Sequence, residues 1–473
     1  MSTTAAVPAP CTFDAVDRLL ADAVDLAPSA EEFPGLAAVV ADLAGVGLRP
    51  GTPVAIALSN GRPLLAHWFA AVLLGLVPVA VPPSTPSARI RDLAVELGVE
   101  ALVAARPDPA RFGARRHTAV GTERLVRLDG PERPVPACEP GEVLLLTSGT
   151  SGRSTACVHR YESLARNAAW HCDSVGLDRT DTVLVSLPLY YSYAIVAQAL
   201  AALHTGARLV LDGPPFAPAP YRTVLQKHDV TQSSVTPTIV RRLLDDGEPL
   251  PAGLRSVTVG GDQLAAVHVA GLVRMDPGRR VYATYGLTEA GPRVTTLAAH
   301  AEPAARWGSV GVPVGDVRTE LRAAAGPGGP QRCTGTGELV VHTDTALLRT
   351  AGPVGRDPLA APGVVATGDL FHRDDAGYLY FDGRRSEFVV VGGEKVSLRT
   401  LRHAAQSLPG VVRAEAVPAE EGGDVVVDLV VDVAGPDAPG PAQVTTGLAP
   451  LLTRVERPRR VSVRRADTEG FRK

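Results

Sequence analysis

Through roughly its first three hundred residues this chain alternates apolar runs of strand length with segments whose apolar positions recur every three or four residues. The runs are Val54–Leu58, Val77–Val81, Val143–Leu146, Val183–Ser186, Arg208–Leu211 and Ser256–Val259, and the helix-period segments include Phe33–Leu48, Arg89–Leu97, Glu162–Val175 and Ala265–Arg274. A strand, a crossover helix and a second strand make a parallel pair, so the alternation predicts an α/β fold of largely parallel sheet covered by helices. After about Gly308 shorter strands with Gly and Pro turns predict a β-rich subdomain (about 308–382). From Gly383 the reading is strand (Phe388–Val391), helix (Leu398–Ser407), strand (Val411–Val417), strand (Val425–Val433), helix (Ala442–Thr453) and strand (Arg460–Arg464), a small α+β unit. The first ten residues are read as disordered.

Composition narrows the function. A net charge of −3 gives no global field to draw nucleic acid or an acidic membrane, so any anion binding must be local. The five cysteines (Cys11, Cys138, Cys157, Cys172, Cys333) are scattered without a CxxC pair, which argues against zinc and against a disulfide framework and favours a reducing cytoplasm. Asp14, Asp17, Arg18 and Asp22 interrupt the start of the chain as no signal peptide would be interrupted. The longest uncharged apolar run, Trp68–Pro82, is broken by prolines and a glycine, so a soluble, unexported protein is expected. The eleven histidines show neither HExxH nor paired ligand spacing, and no Gly-x-Ser-x-Gly elbow occurs.

Two stretches carry local anion chemistry. Thr147-Ser148-Gly149-Thr150-Ser151-Gly152 follows a predicted buried strand: its glycines let backbone N–H groups approach a phosphate and its hydroxyls add donors, although a glycine-rich surface turn has the same composition. It is not a Walker loop, because no GxxxxGK[ST] is present. Tyr285-Gly286-Leu287-Thr288-Glu289 follows the apolar strand Val281–Thr284, at the C-terminal strand end where open α/β sheets collect ligands.

With Thr367-Gly368-Asp369 and the run Gly383–Ser397, these stretches resemble, in order, the motifs of the adenylate-forming superfamily of acyl-CoA synthetases, acyl-AMP ligases and peptide-synthetase adenylation domains; the resemblance covers roughly residues 35–473. It implies an N-terminal ATP- and acid-binding domain (1–382), a hinge (383–387) and a mobile lid (388–473). It also implies residue roles. The loop 147–152 holds the ATP phosphates, with Thr155 at the customary lysine position and Arg153 left to supply the charge. Gly260, Gly261, Asp262, Tyr285 and Gly286 form the adenine pocket, Thr288 donates to the α-phosphate, Glu289 holds Mg²⁺, and Asp369 with Arg384 takes the ribose. Ser386 stands at the pivot, and Lys395 in GGEKVS belongs to the thiolation loop. The catalytic lid cation aligns with Arg472 in one register and Lys473 in another; with Thr150 and Glu289 these are the expected catalytic groups. Only three lysines occur, Lys227, Lys395 and Lys473, so a compact ammonium is retained twice in the lid region.

On the substrate side, Leu187–Thr205 holds no carboxylate to receive an ammonium, which disfavours free α-amino acids. Tyr190, Tyr191 and Tyr193 are candidates to wall the acid pocket, or to be core, and Arg293 to meet a second acidic group on substrate or nucleotide. The expected reaction is MgATP-dependent activation of a carboxylic acid to acyl-AMP, then transfer to a phosphopantetheine thiol. A carrier protein is favoured over CoA because the chain is compact and stand-alone, as in specialised metabolism. Residues 454–473, with eight basic and three acidic side chains, are placed to receive CoA phosphates or an acidic carrier helix, or to be a solvated edge. Two other readings stay open: an adenylating ligase with a non-thiol acceptor or an unusual small acid, and a non-catalytic nucleotide binder.

Overall fold

The computed structural model describes residues 11–27, 33–114, 117–128, 137–147, 155–323, 335–352, 357–384, 388–391, 394–421, 424–435, 438–452, 454 and 456–465. Its contacts divide the chain into two units: Met1–Glu320 with Val340–Thr367 and Arg373–Tyr380, and Leu321–Leu339 with Gly368–His372 and Phe381–Lys473.

The first unit holds two eight-stranded sheets. One runs Val24–Asp25, Arg208–Leu211, Thr182–Val185, Gln232–Val235, Ser256–Val259 and Arg280–Gly286, all parallel, and then adds Arg293–Ala298 and Val312–Pro313 antiparallel. The other has the parallel centre Glu142–Thr147, Val77–Ala80, Pro53–Ala57 and Ala101–Ala104, flanked by antiparallel strands that include Thr155–Arg160 and Glu123–Arg127. Every strand and helix read from the first three hundred residues is present, with ends moved by a few positions. The mixed α/β architecture is therefore the one expected.

Between the sheets lie helices that are apolar on nearly all sides. Residues 63–71 of the helix Arg62–Leu73 are all buried, and one core joins its Leu64, Trp68 and Phe69 to Val54 and Ile56 of one sheet, to Val183 and Val185 of the other, and to Leu164 and Ala168 of the helix Tyr161–Val175. A helix apolar all round belongs in the interior of a layered protein. This explains the apolar run Trp68–Pro82: it is the second half of this helix followed by the strand Val77–Ala80. Among the described residues no helix is long and apolar enough to cross a membrane.

In the second unit Phe388–Val391 pairs antiparallel with Glu394–Ser397, and Val411–Glu421, Asp424–Val433 and Arg460–Arg465 form a three-stranded sheet. The strand Asp424–Val433 alternates cleanly: Val427, Leu429, Val431 and Val433 enter a core with Leu401, Ala405, Val444 and Leu448, whereas Asp428 faces outward and takes the Arg459 guanidinium at 2.8 and 3.0 Å.

Trp68 tests the inter-sheet core. Its ring meets Phe69 edge-on at 5.1 Å and Tyr161 at 6.3 Å. Trp68→Ala should cost about 3–5 kcal/mol of stability, read from urea titration followed by far-UV circular dichroism.

Candidate active site

The strand Arg280–Gly286 leaves the parallel sheet at its C-terminal end and returns antiparallel as Arg293–Ala298, with Tyr285 opposite Thr295 and Gly286 opposite Arg293 across a bulge. Gly286 is required by close approach: a Cβ there would run into the Pro292 carbonyl. The turn between the strands contains a short 3₁₀ segment, Thr288–Ala290, which presents Thr288 and Glu289 half-buried.

Three successive carbonyls of this turn are taken by other parts of the chain. His159 Nε2 donates to the Thr288 carbonyl at 2.9 Å, the Leu347 N–H to that of Glu289 at 2.9 Å, and Thr345 Oγ1 to that of Ala290 at 2.9 Å. Asn167 grips Arg293 from both sides: its Nδ2 donates to the Arg293 carbonyl at 2.9 Å and its Oδ1 accepts from the Arg293 N–H at 2.8 Å. Buried backbone groups must be paired, so these contacts fix the turn instead of leaving it to solvent.

The segment after Leu187 meets this turn directly. Ser192 Oγ and Thr288 Oγ1 share a hydrogen bond of 2.9 Å. When Ser192 is the donor, the Thr288 proton is free for an incoming oxygen. Tyr193 lies beneath the Arg293 guanidinium, 5.2 Å from ring centroid to cation, and its hydroxyl is 3.2 Å from Thr258 Oγ1. A Cβ on Gly260 would come within 3.2 Å of the Tyr193 ring, so the Gly260–Gly261 backbone forms the next wall, and Gly261 has φ +89°. Asp262 is exposed and turned back on the chain, its carboxylate accepting from the Gln263 N–H at 2.7 Å. Tyr190 and Tyr191 pack on each other at 4.8 Å, with Tyr190 half-buried and Tyr191 56% exposed.

Burial, with the Glu289 carboxylate adding to it, pushes the Cys157 thiol well up, so Cys157 stays protonated. Burial lowers His159 to about 4 against the bonds it makes, so it is a neutral donor. Among the described residues no group of three or more His, Cys, Asp or Glu could cage a metal. Glu289 still fits Mg²⁺, which is commonly held by one or two carboxylates together with substrate phosphates.

Of the remaining predicted residues, Thr147 ends its strand opposite Thr155 and donates from Oγ1 to the Thr155 carbonyl at 3.2 Å. The expected strand-to-helix passage is thus a β-hairpin, with Thr155–Arg160 as its return strand before the helix at Tyr161. Ser148, Gly149, Thr150, Ser151, Gly152 and Arg153 lie outside the described residues, as do Ser386, Arg472 and Lys473. In the second unit Asp369 is buried and the Arg384 Nε reaches its carboxylate at 3.1 Å, so the two residues assigned to the ribose are neighbours. Lys395 stands on the strand Glu394–Ser397, opposite Val390. The sequence patterns missed His159, Asn167, Ser192 and Thr345; the available signal was a polar residue inside an otherwise apolar strand or helix face, as in ACVHR.

A family model described as "AMP-binding enzyme" matches residues 36–349, which takes in the two sheets' central strands and the whole turn. The chain belongs to that family. Among curated relatives it is 28% identical to a sulfoacetate–CoA ligase of Cupriavidus necator, over 79% of this chain and 76% of the relative, and 27% identical to a non-canonical nonribosomal peptide synthetase of Salinispora arenicola, over 78% of this chain and 5% of that much longer protein. Among solved structures the o-succinylbenzoate CoA synthetase of Bacillus subtilis with its acyl-adenylate has TM-score 0.78 at 20% identity, covering 96% of this chain and 88% of that one. The same protein with ATP and magnesium also gives 0.78, at 21% identity and covering 91% and 89%.

His159 carries a pH signature. Its folded-state pKa lies below the ordinary 6.5, so an unfolded chain takes up the proton first as pH falls. Stability is complete above about pH 6.5 and lost toward pH 4, by up to about 3 kcal/mol from this group. His159→Gln should flatten that slope in chemical denaturation at pH 7, 5.5 and 4.5; buried His67 and His171, also held neutral, keep the remainder. In the same variant kcat should fall about tenfold, since a misplaced buried bond to the Thr288 carbonyl costs about 1–3 kcal/mol.

Proposed function

We propose that this chain is an acid–thiol ligase working in two half-reactions. In the first, a carboxylate oxygen attacks the α-phosphorus of ATP, forming the acyl–O–P bond as the bond to pyrophosphate breaks. In the second, a phosphopantetheine thiolate attacks the acyl carbon and AMP leaves with the oxygen. The observation that supports this most directly is the clamped turn, where Thr288 and Glu289 stand at the C-terminal end of a parallel strand, the usual place for a nucleotide in an open α/β sheet.

The residue roles follow the chemistry. Thr288 donates to an α-phosphate oxygen when Ser192 is the donor of the bond between the two hydroxyls. Glu289 holds Mg²⁺, which when bound neutralises charge on the phosphates. Tyr285, Gly286, Gly261 and Asp262 border the base, and Asp369 accepts from the ribose hydroxyls with Arg384 beside it. The loop 147–153, with Thr150, takes the outer phosphates; Arg472 or Lys473 supplies the cation of the first half-reaction, and Lys395 serves the second. Little covalent chemistry is left to the protein, so the rate comes from positioning and charge stabilisation.

CoA is the acceptor best supported, because the sulfoacetate relative is named as a CoA ligase. The peptide-synthetase relative favours a carrier protein as the second possibility. The two are separated by offering the adenylate to CoA and to a phosphopantetheinylated carrier and weighing the products by mass spectrometry.

Acid-dependent ATP–pyrophosphate exchange over a panel of fatty, aryl, hydroxy and dicarboxylic acids should find at least one active acid. Glu289→Ala should reduce that exchange by about a hundredfold or more while leaving the fold intact by circular dichroism. Exchange that survives the substitution undiminished removes the catalytic assignment.

A further inference from the structure

Two buried arginines in the first unit are treated very differently. Arg279, 3% exposed, spends its guanidinium on the chain: Nε donates to the Leu254 carbonyl at 2.8 Å, Nη2 to Leu250 and Pro251 at 3.3 and 3.0 Å, and Asp276 pairs with it at 3.0 Å. Arg293 is 2% exposed, yet its Nε and Nη2 are buried with no hydrogen-bond partner, and among the described residues no carboxylate forms an ion pair with it. Its one favourable side-chain contact is the face of Tyr193. A desolvated cation–π contact offsets only part of the cost of burying an unpaired charge. Burial accordingly lowers the Arg293 pKa from its ordinary value.

Among the described residues nothing relieves this. His171, wholly buried and within the field of the guanidinium, is held neutral by burial and by the Arg293 charge, and its Nδ1 has no partner either. Tyr193 offers a ring face, not an anion. Asn167 also fixes the Arg293 backbone at both its N–H and its carbonyl. The unpaired Nε and Nη2 form one edge of the guanidinium, the edge that receives both oxygens of a carboxylate or sulfonate in parallel.

We propose that Arg293 is a substrate-specificity residue that binds a second oxyanion on the acid, so that the preferred substrates are carboxylic acids bearing a further carboxylate or sulfonate. This rests on the acid-activating reading above. Arg293 stands opposite Gly286 in the hairpin and above Tyr193, which follows Ser192, the hydroxyl partner of Thr288. An acid whose reacting carboxylate lies near Thr288 would therefore have this cation close by, reached through Tyr193 and Ser192. A monoanionic acid would leave the guanidinium unpaired, whereas a dianion fills its open edge.

The test measures acid-dependent pyrophosphate release with matched pairs: butyrate against succinate and 3-sulfopropanoate, and benzoate against benzene-1,4-dicarboxylate. Wild type should favour the dianions by about a hundredfold in kcat/KM, Arg293→Met should erase that preference, and Arg293→Lys should restore part of it. A merely structural arginine is excluded by melting temperature: Arg293→Met without ligand should be as stable as wild type or more so, whereas Arg279→Met should be clearly less stable. Dianions without ATP should raise the melting temperature of wild type and not of Arg293→Met. Equal use of mono- and dianions, unchanged selectivity in Arg293→Met, or loss of ATP binding by that variant without acid would each overturn the proposal while leaving the ligase reading standing. Absence of pyrophosphate release with every acid would sink the ligase reading, and the dianion-dependent melting shift would then decide the Arg293 pocket by itself.

Discussion

The structure of the first unit turns on how six residues of irregular backbone, 287–292, are satisfied at the end of a parallel sheet. A turn at that place is useful only if its side chains point at a ligand, which requires that its own carbonyls be occupied elsewhere. His159 comes from a strand of the second sheet, Asn167 from the helix between the sheets, and Thr345 and Leu347 from a segment far along the chain. Because the turn ends one sheet while its donors come from the other sheet, from the helix packed between them and from a distant segment, its shape depends on the docking of these layers. The core that joins Trp68, Leu164 and Val183 is thus what aligns Thr288 and Glu289.

Local pattern was enough for the framework and insufficient for this docking. Val77–Ala80 and Ser256–Val259 are legible as strands because apolar, β-branched residues buried on both faces need no partner identity to be recognised. Gln232–Val235 is as deeply buried, yet its sequence QSSV reads as surface. Its polar atoms are met only in the folded chain: Ser233 accepts from the Tyr221 hydroxyl at 2.8 Å, Ser234 bonds Thr258 at 2.7 Å, and Gln232 donates to Asp181 at 3.4 Å. Hydrogen-bond partners brought together from far along the chain cannot be read from spacing. The strand Thr155–Arg160 was obscured for a related reason, since its buried His159 is justified only by the Thr288 carbonyl.

The same limit separates the parts of the site. YGLTE could be placed at a strand end because the apolar run before it is unmistakable, whereas the steric duty of Gly286 against the Pro292 carbonyl shows only in the folded chain. The three tyrosines of Tyr190–Tyr193 look equivalent in sequence, but a strand-to-helix passage turns each in its own direction: Tyr191 outward, Tyr190 against it, and Tyr193 inward under Arg293. Asp369 and Arg384 were paired by resemblance alone, and their 3.1 Å contact has a simple physical reading, a buried carboxylate held by an exposed guanidinium.

Two kinds of buried polar group therefore coexist around one turn, and the difference between them is informative. His159, Asn167 and Thr345 are matched to backbone atoms, and their cost of burial is offset within the chain. Among the described residues Arg293 has no such match, although Arg279 shows that this fold can pair a buried guanidinium with carbonyls and one aspartate. A chain that solves the problem at one arginine and leaves it unsolved at another, beside the residues that would meet substrate, carries the local inconsistency expected of a functional position. The surround strengthens that conclusion: with its backbone held by Asn167 and a neutral histidine within its field, the cation finds no compensating charge among the described residues.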